Sequence, residues 1–416
     1  MPRDLTYILL LFVLFVVPRF LQRYRLPSAI TSLLLGVAAT ALGLFEHDPT
    51  IALLATFGIV ALFLLAGLDA DVEELRPDLP VLLQHLGAWS ITLLAVAVVV
   101  AAVFGLTPRS ATLVGLAILT PSAGFILDSL GSLGLSPAEQ RWTKSKAISA
   151  EFLALGVMFV VLQSTSVGHM ALSTLALIGL LAVLPPLFRW FAVRVAPFAP
   201  KSEFAFLLMV AMVCASATRA LGVYYLVGAF LVGLAARQFR TRLPAASSER
   251  VLAGVEAFAA VFVPFYFFKA GQGVRPEELG ALAFLTGMVL VVGGVALRLG
   301  KTALHRRLAL GEPPAKSLRI GLALLPTLVF TLVLADLLRD RPEVPSALIG
   351  GLVLYTVCVT LLPALVLRVP PSDYEAPRLD PLRDSAETTT SPLAVGVSPP
   401  PGEAVGGSGA PARIRS

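Results

Sequence analysis

The chain has 416 residues, 57% of them hydrophobic and only 14% charged, with mean hydropathy +0.85 and a formal net charge of +6. A soluble domain carries roughly 25% charged residues, and apolar runs that repeatedly reach about 20 residues are long enough to cross a bilayer. This is the composition of a polytopic membrane protein, which excludes a soluble enzyme. The basic residues lie in short clusters between apolar runs, as membrane loops do, so no nucleic-acid partner is expected.

In chain order, the apolar runs predict an all-α protein with thirteen spans at 5–18, 28–44, 51–68, 79–105, 110–133, 141–163, 168–190, 203–219, 223–238, 250–271, 278–300, 316–338 and 344–367. The first run is short enough for a signal peptide, but no small-x-small site follows it and Pro18-Arg19-Phe20 comes next, so it reads as a membrane helix. Basic residues concentrate after odd-numbered spans, among them Arg19, Arg23, Arg25, Arg141, Lys144, Lys146, Arg237, Arg240, Arg242, Lys301, Arg306 and Arg307. Few follow even-numbered ones: Arg109, Arg219, Arg275, Arg339 and Arg341. This bias places the odd-span loops and the C-terminus in the cytoplasm and the N-terminus outside, in an inner membrane. Residues 1–369 are expected to form the membrane domain. From about Pro370 the chain becomes rich in Pro, Gly, Ser, Thr and Ala, and residues 370–416 are expected to be a disordered cytoplasmic tail.

Two spans are interrupted. The fifth contains Thr120-Pro121-Ser122-Ala123-Gly124, and the twelfth contains Leu325-Pro326-Thr327. Proline removes a backbone donor and frees carbonyls, which at membrane depth survive only beside protein or a water-filled cavity. If spans two to six and nine to thirteen form two five-span units, the broken spans are each the fourth member, and the units start on opposite sides of the membrane. That is the pattern of an inverted-repeat secondary transporter with two discontinuous helices. Two ordinary proline kinks are the plainer account.

The sixth span carries a lone acid, Glu151. An antiporter needs one buried group that is either protonated or cation-bound, so that each ligand expels the other, and a desolvated carboxylate can serve. The structural alternative is a carboxylate paired with a basic residue to hold helices together. Thr120, Ser122 and Thr327 offer hydroxyl oxygens beside broken backbone; such hydroxyls also commonly bond their own helix. Asp128, about two turns beyond Pro121, is either a second site acid or a residue of the funnel mouth. Arg298 and Lys269 are the cations that could pair with the acid; both could equally snorkel to a membrane surface. The four histidines, His47, His85, His169 and His305, fall near predicted helix ends and read as exposed loop residues. Cys214 and Cys358 lie in apolar runs and read as packing residues. With no phosphate-binding glycine loop, nucleophile elbow or zinc spacing, no cofactor and no hydrolase or ATP-driven pump is expected.

Several blocks resemble the cation:proton antiporter-2 family, exchangers of sodium or potassium for protons. Arg25-Leu26-Pro27-Ser28 leading to Leu35-Gly36, the stretch from Phe57 through Gly67-Leu68-Asp69, Val227-Gly228-Ala229-Phe230-Leu231-Val232-Gly233, and Phe262-Val263-Pro264 through Lys269-Ala270-Gly271 carry the likeness in order and spacing. The resemblance implies an antiporter-like fold, with spans four to six and eleven to thirteen as a mobile core and the others as a scaffold. It further implies a homodimer in membrane lipid, transient monovalent-cation binding at Glu151, and Arg298 at the position of a core lysine. The chain departs from the family where Thr120-Pro121-Ser122 replaces a Ser-Ser-Thr run, Ala150-Glu151 replaces a paired polar and acidic residue, and Pro326-Thr327 replaces Gly-Glu. Two other readings remain open: a sodium-coupled symporter of a small organic anion on a similar fold, and a non-transporting membrane sensor.

Overall fold

A computed structural model describes residues 3–45, 48–70, 79–131, 133–163, 166–199, 201–221, 225–240 and 245–367. His47 and the expected tail lie outside them. Every regular element among the described residues is helical. The helices are α1 (Arg3–Leu21), α2 (Ser28–Ala41), α3 (Pro49–Asp69), α4 (Leu79–Phe104), α5 (Pro108–Leu119), α6 (Ala123–Leu130), α7 (Pro137–Gln163), α8 (Val167–Arg194), α9 (Glu203–Ala220), α10 (Tyr225–Arg240), α11 (Ala245–Gln272), α12 (Ala281–Leu310), α13 (Pro314–Ala323), α14 (Leu328–Arg339) and α15 (Ser346–Val366).

Among the described residues, ten helical stretches are long and apolar enough to cross a membrane, or eleven if the pair Lys316–Ala323 and Leu328–Arg339, bent by 48°, is one span. Ser28–Ala41 and Leu226–Arg237 are apolar but shorter. Each of the thirteen expected segments falls on helix, but length and apolarity alone count only ten or eleven crossings.

Both breaks follow from proline. Thr120 precedes Pro121 and is pushed out of the helical region to φ −80°, ψ 117°, so α5 ends there. Pro326 lacks the amide that would continue α13, which stops at Ala323 before α14 restarts at Leu328.

Packing follows the two-unit scheme. In the first unit α4 packs on α5 and α7, and in the second α12 packs on α13 and α15. The α6–α7 contact is likewise matched by α14–α15, while α3 packs on α10 and α11, and α2 on α11. Glycines set these last seams. A Cβ at Gly67 would lie 2.3 Å from the Phe230 carbonyl oxygen, and one at Gly233 would lie 2.3 Å from that of Leu64. Gly36 and Gly271 are related in the same way: a Cβ on either would lie 2.0 Å from the carbonyl oxygen of Phe268 or Leu33 respectively. The family-like blocks of the sequence are thus the places where backbones approach without intervening side chains.

At the end of the bundle near the α9 and α14 C-termini, Arg339 forms a buried two-pronged ion pair with Glu278, at 2.8 and 2.9 Å. Cys214 is buried and Cys358 half-buried, both as free thiols.

Candidate ion-binding site at the crossed helix breaks

The two breaks meet. Ser122 N donates to Pro326 O at 2.8 Å, and Val329 N donates back to Ser122 Oγ at 3.1 Å. A helix N-terminus leaves amides without intrahelical partners, and here each half-helix receives its acceptor from elsewhere in the chain. For α14 the acceptor is Ser122. For α6 it is Glu151, whose Oε2 accepts from Ala123 N at 2.9 Å. Glu151 is only 3% exposed, so its carboxylate sits buried against the positive end of a half-helix, a favourable place for negative charge.

The carbonyls freed at the C-terminal sides are satisfied with similar completeness. In α5, Leu116 O accepts from Thr120 N, Ala117 O from Thr331 Oγ1, Ile118 O from the Tyr355 hydroxyl, and Leu119 O from Trp89 Nε1. Just past the end of α13, the Leu324 and Leu325 carbonyls accept from the Arg298 guanidinium, the latter at 2.7 Å. Arg298 is buried and also reaches the Tyr355 hydroxyl at 3.3 Å. Gly294, one turn before Arg298, makes room for that tyrosine: a Cβ there would lie 2.8 Å from its ring. Cationic charge thus closes the negative end of α13 as anionic charge closes the positive end of α6.

The structure brings Glu151, Ser122, Pro121, Pro326 and Thr327 to one locus. Thr327 Oγ1 lies 3.0 Å from Thr356 Oγ1. Thr120 Oγ1, in the α5 break, is buried without a hydrogen-bond partner among the described residues. Gly124 sits in the first turn of α6, and a Cβ there would meet nothing within 4 Å. Asp128 lies further along α6, on the same half-helix but not at the crossing.

Neither expected cation partner is ion-paired with Glu151: no ion pair within 4 Å joins it to Arg298 or Lys269. Lys269 lines a cavity of about 760 Å³ between α3, α9, α11 and α14. That cavity runs from exposed Arg219, Asp336 and Asp340 to buried Ile59, Val60, Leu332 and Val333. It stops short of the crossing, since Leu332 is about 8 Å along α14 from Thr327 at 1.5 Å per residue.

Several basic groups are not where the sequence placed them. Lys146, read as a loop residue, is fully buried in α7. His85, read as exposed, is also buried, with its ring 5.6 Å from that of His305, which in turn lies 3.4 Å from the Lys146 ammonium. His169 is an exposed residue at the start of α8, as expected. Trp89, Thr331 and Tyr355, the donors that complete the α5 terminus, were not singled out by sequence. Their signal was a polar atom inside an apolar run.

Two helices broken at matching places, joined at the breaks and bearing a buried carboxylate on one half-helix define the core of an inverted-repeat secondary transporter. The chain belongs to the sodium/hydrogen exchanger family, whose transmembrane region matches residues 9–369; it is a multi-pass membrane transporter, not an enzyme. It is 21% identical over 381 residues to "Probable Na(+)/H(+) antiporter 3" of Methanocaldococcus jannaschii, a match covering 87% of this chain and 95% of that one. It is 24% identical over 270 residues to the Na(+)/H(+)-K(+) antiporter GerN of Bacillus cereus, covering 61% of this chain and 67% of that relative. Among solved structures it shares the fold of the sodium proton antiporter MjNhaP1 of M. jannaschii at pH 8, with a TM-score of 0.66 at 15% identity, covering 88% of this chain and 95% of the other.

Proposed function

We propose that the chain exchanges a monovalent cation, sodium or potassium, for protons by alternating access, with the Glu151 carboxylate as the site that both ligands share. The observation that carries this reading is the burial of Glu151 on the Ala123 amide, at the crossing of two broken helices, with no basic side chain in ion-pair reach among the described residues. An unpaired buried carboxylate invites either a proton or a cation, and binding one removes the reason to bind the other. The Thr120 hydroxyl, without a hydrogen-bond partner among the described residues, supplies a further oxygen.

Neutralisation also gates the motion. A bare carboxylate carried past the apolar scaffold residues loses its solvation, whereas a carboxylic acid or a carboxylate–cation pair does not bear that full cost. Core movement is therefore favoured only with a ligand aboard, which couples the two fluxes. With one carboxylate at the crossing, the simplest stoichiometry is one for one and electroneutral. A homodimer in the inner membrane, with the N-terminus outside and residues 370–416 as a cytoplasmic tail, completes the proposal.

The anion-symporter alternative loses its main attraction here. One first-turn amide of each half-helix that would hold an organic carboxylate already donates, Ala123 N to Glu151 and Val329 N to Ser122.

The test is proton flux in proteoliposomes loaded with a pH dye, on addition of sodium, potassium or lithium. The native chain should show cation-dependent flux, and Glu151→Gln should show none. Flux surviving in the variant would move the site, with Asp128 as the next acid to replace; no flux in either protein would overturn the antiport reading.

A further inference from the structure

The chain passes between the expected scaffold and the expected core after α3, after α7 and after α11. The first two links lie partly outside the described residues, whereas the third, from Gln272 at the end of α11 to Ala281 at the start of α12, is described throughout. Its two ends are tied to opposite sides.

The scaffold holds the first end. Gln272 O accepts from Thr40 Oγ1 at 3.2 Å, and Gln272 Nε2 donates to the carbonyls of Leu44 and Phe45 at 3.4 and 3.2 Å. The core holds the second. Glu278 lies in a single 3-10 turn, Pro276–Leu279, that packs on α15. Its carboxylate takes both prongs of Arg339 from the end of α14, and its backbone carbonyl lies so close to α15 that a Cβ at Gly350 would collide with it. A two-pronged pair fixes orientation as well as distance, so the turn is carried by α14 and α15.

Between these anchors lie Gly273-Val274-Arg275-Pro276-Glu277. Val274 N donates to Gly271 O at 3.1 Å and so belongs to α11, while Glu278 N donates to Arg275 O at 2.9 Å and so closes the turn. Pro276 holds Arg275 extended, at φ −90° and ψ 152°. The two torsions in between, ψ of Val274 and φ of Arg275, belong to neither set. The side chains of Arg275, Pro276 and Glu277 are exposed and can swing without displacing packed neighbours. Gly273 and Arg339, on either side of this step, both line the cavity of about 760 Å³ between scaffold and core.

We propose that the Val274–Arg275 step is a hinge of the moving core, and that the Glu278–Arg339 pair is the clamp that passes its rotation to α14, one of the two half-helices at the crossing. The inference rests on the alternating-access reading and adds to it where the chain bends and which pair carries the motion. A few residues at the end of an element commonly serve in this way, and replacing them alters turnover far from the chemistry.

Spin-label distances in the full chain, with Cys214 and Cys358 replaced by serine, test it. One label sits at Glu277→Cys on the turn and the other at Leu42→Cys on the scaffold side or Ser346→Cys at the start of α15, all exposed positions. On adding sodium or potassium, or on acidification, the Leu42–Glu277 separation should shift or split while the Glu277–Ser346 separation stays narrow. Glu278→Gln should broaden the latter. An invariant Leu42–Glu277 separation, or a turn that moves against Ser346 in the native clamp, would overturn the hinge. In proteoliposomes Arg275→Pro, which restricts both free torsions, should lower the maximal exchange rate several-fold at unchanged half-saturating cation concentration. Arg275→Ala, which loses the same side chain, should exchange like the native chain. Where the native chain exchanges, an equal rate in Arg275→Pro also overturns the hinge. Absence of flux in the native chain would strike the exchange reading alone, because the label distances are read without flux.

Discussion

Glu151 and Arg298 are the two buried charges at the crossing, and each is held by backbone rather than by the other. The carboxylate accepts from the first amide of α6, the guanidinium donates to the last carbonyls of α13, and Tyr355 joins Arg298 to the end of α5. Tyr355→Phe removes the hydroxyl that donates to the Ile118 carbonyl and should lower stability by about 1–3 kcal/mol, the cost of stranding a buried acceptor. Thermal unfolding in detergent measures this. Exchange by the surviving folded protein should persist, because the tyrosine makes no bond to Glu151. Ser122→Ala should cost about 1 kcal/mol as a lost helix cap and should also loosen α14 at Val329, visible as faster amide exchange there.

At the scale of elements, the broken helices and their carboxylate were legible because proline and a lone acid stand out against an apolar run. The bonds that complete them were not. Tyr355 meets a carbonyl 237 residues away and Thr331 one 214 away, and a sequence pattern says that a residue is polar without saying which freed group it answers. Lys146 and His85 were misplaced for a related reason: a charge near a helix end reads as a loop marker, but α7 begins at Pro137 and carries Lys146 well inside. The glycine blocks were legible as a family likeness and acquire a physical cause only in the seams. Gly67→Ala and Gly233→Ala should each prevent normal assembly of α3 on α10, because the obstacle is a carbonyl oxygen 2.3 Å from the new carbon and not a side chain that can turn away. Gly124→Ala meets open space and should fold normally. Monodispersity on size exclusion and thermal stability separate the two outcomes.

For the whole molecule, the cavity lined by α3, α9, α11 and α14 is bounded by residues of both the expected scaffold and the expected core. If access alternates, its width must change during each cycle. Joining Thr56→Cys on α3 to Leu337→Cys on α14 with a short thiol-reactive bridge, in a background with Cys214 and Cys358 replaced by serine, should stop cation-dependent proton flux. Cleaving a reducible bridge should restore it. Undiminished flux in the bridged protein would place the moving boundary elsewhere.

The glycine seams also bear on how the chain is made. Gly67 and Phe230 lie about 160 residues apart, so α3 enters the bilayer roughly 10–30 s before α10 exists to meet it, at ordinary rates of synthesis. During that interval the bare groove at Gly67 faces acyl chains or a temporary escort. The surfaces that Gly36, Gly67, Gly233 and Gly271 require all come from the opposite five-span half, so a ribosome pausing between the halves would leave these seams unfinished in the membrane, whereas separately synthesised halves that meet in the same bilayer could complete them.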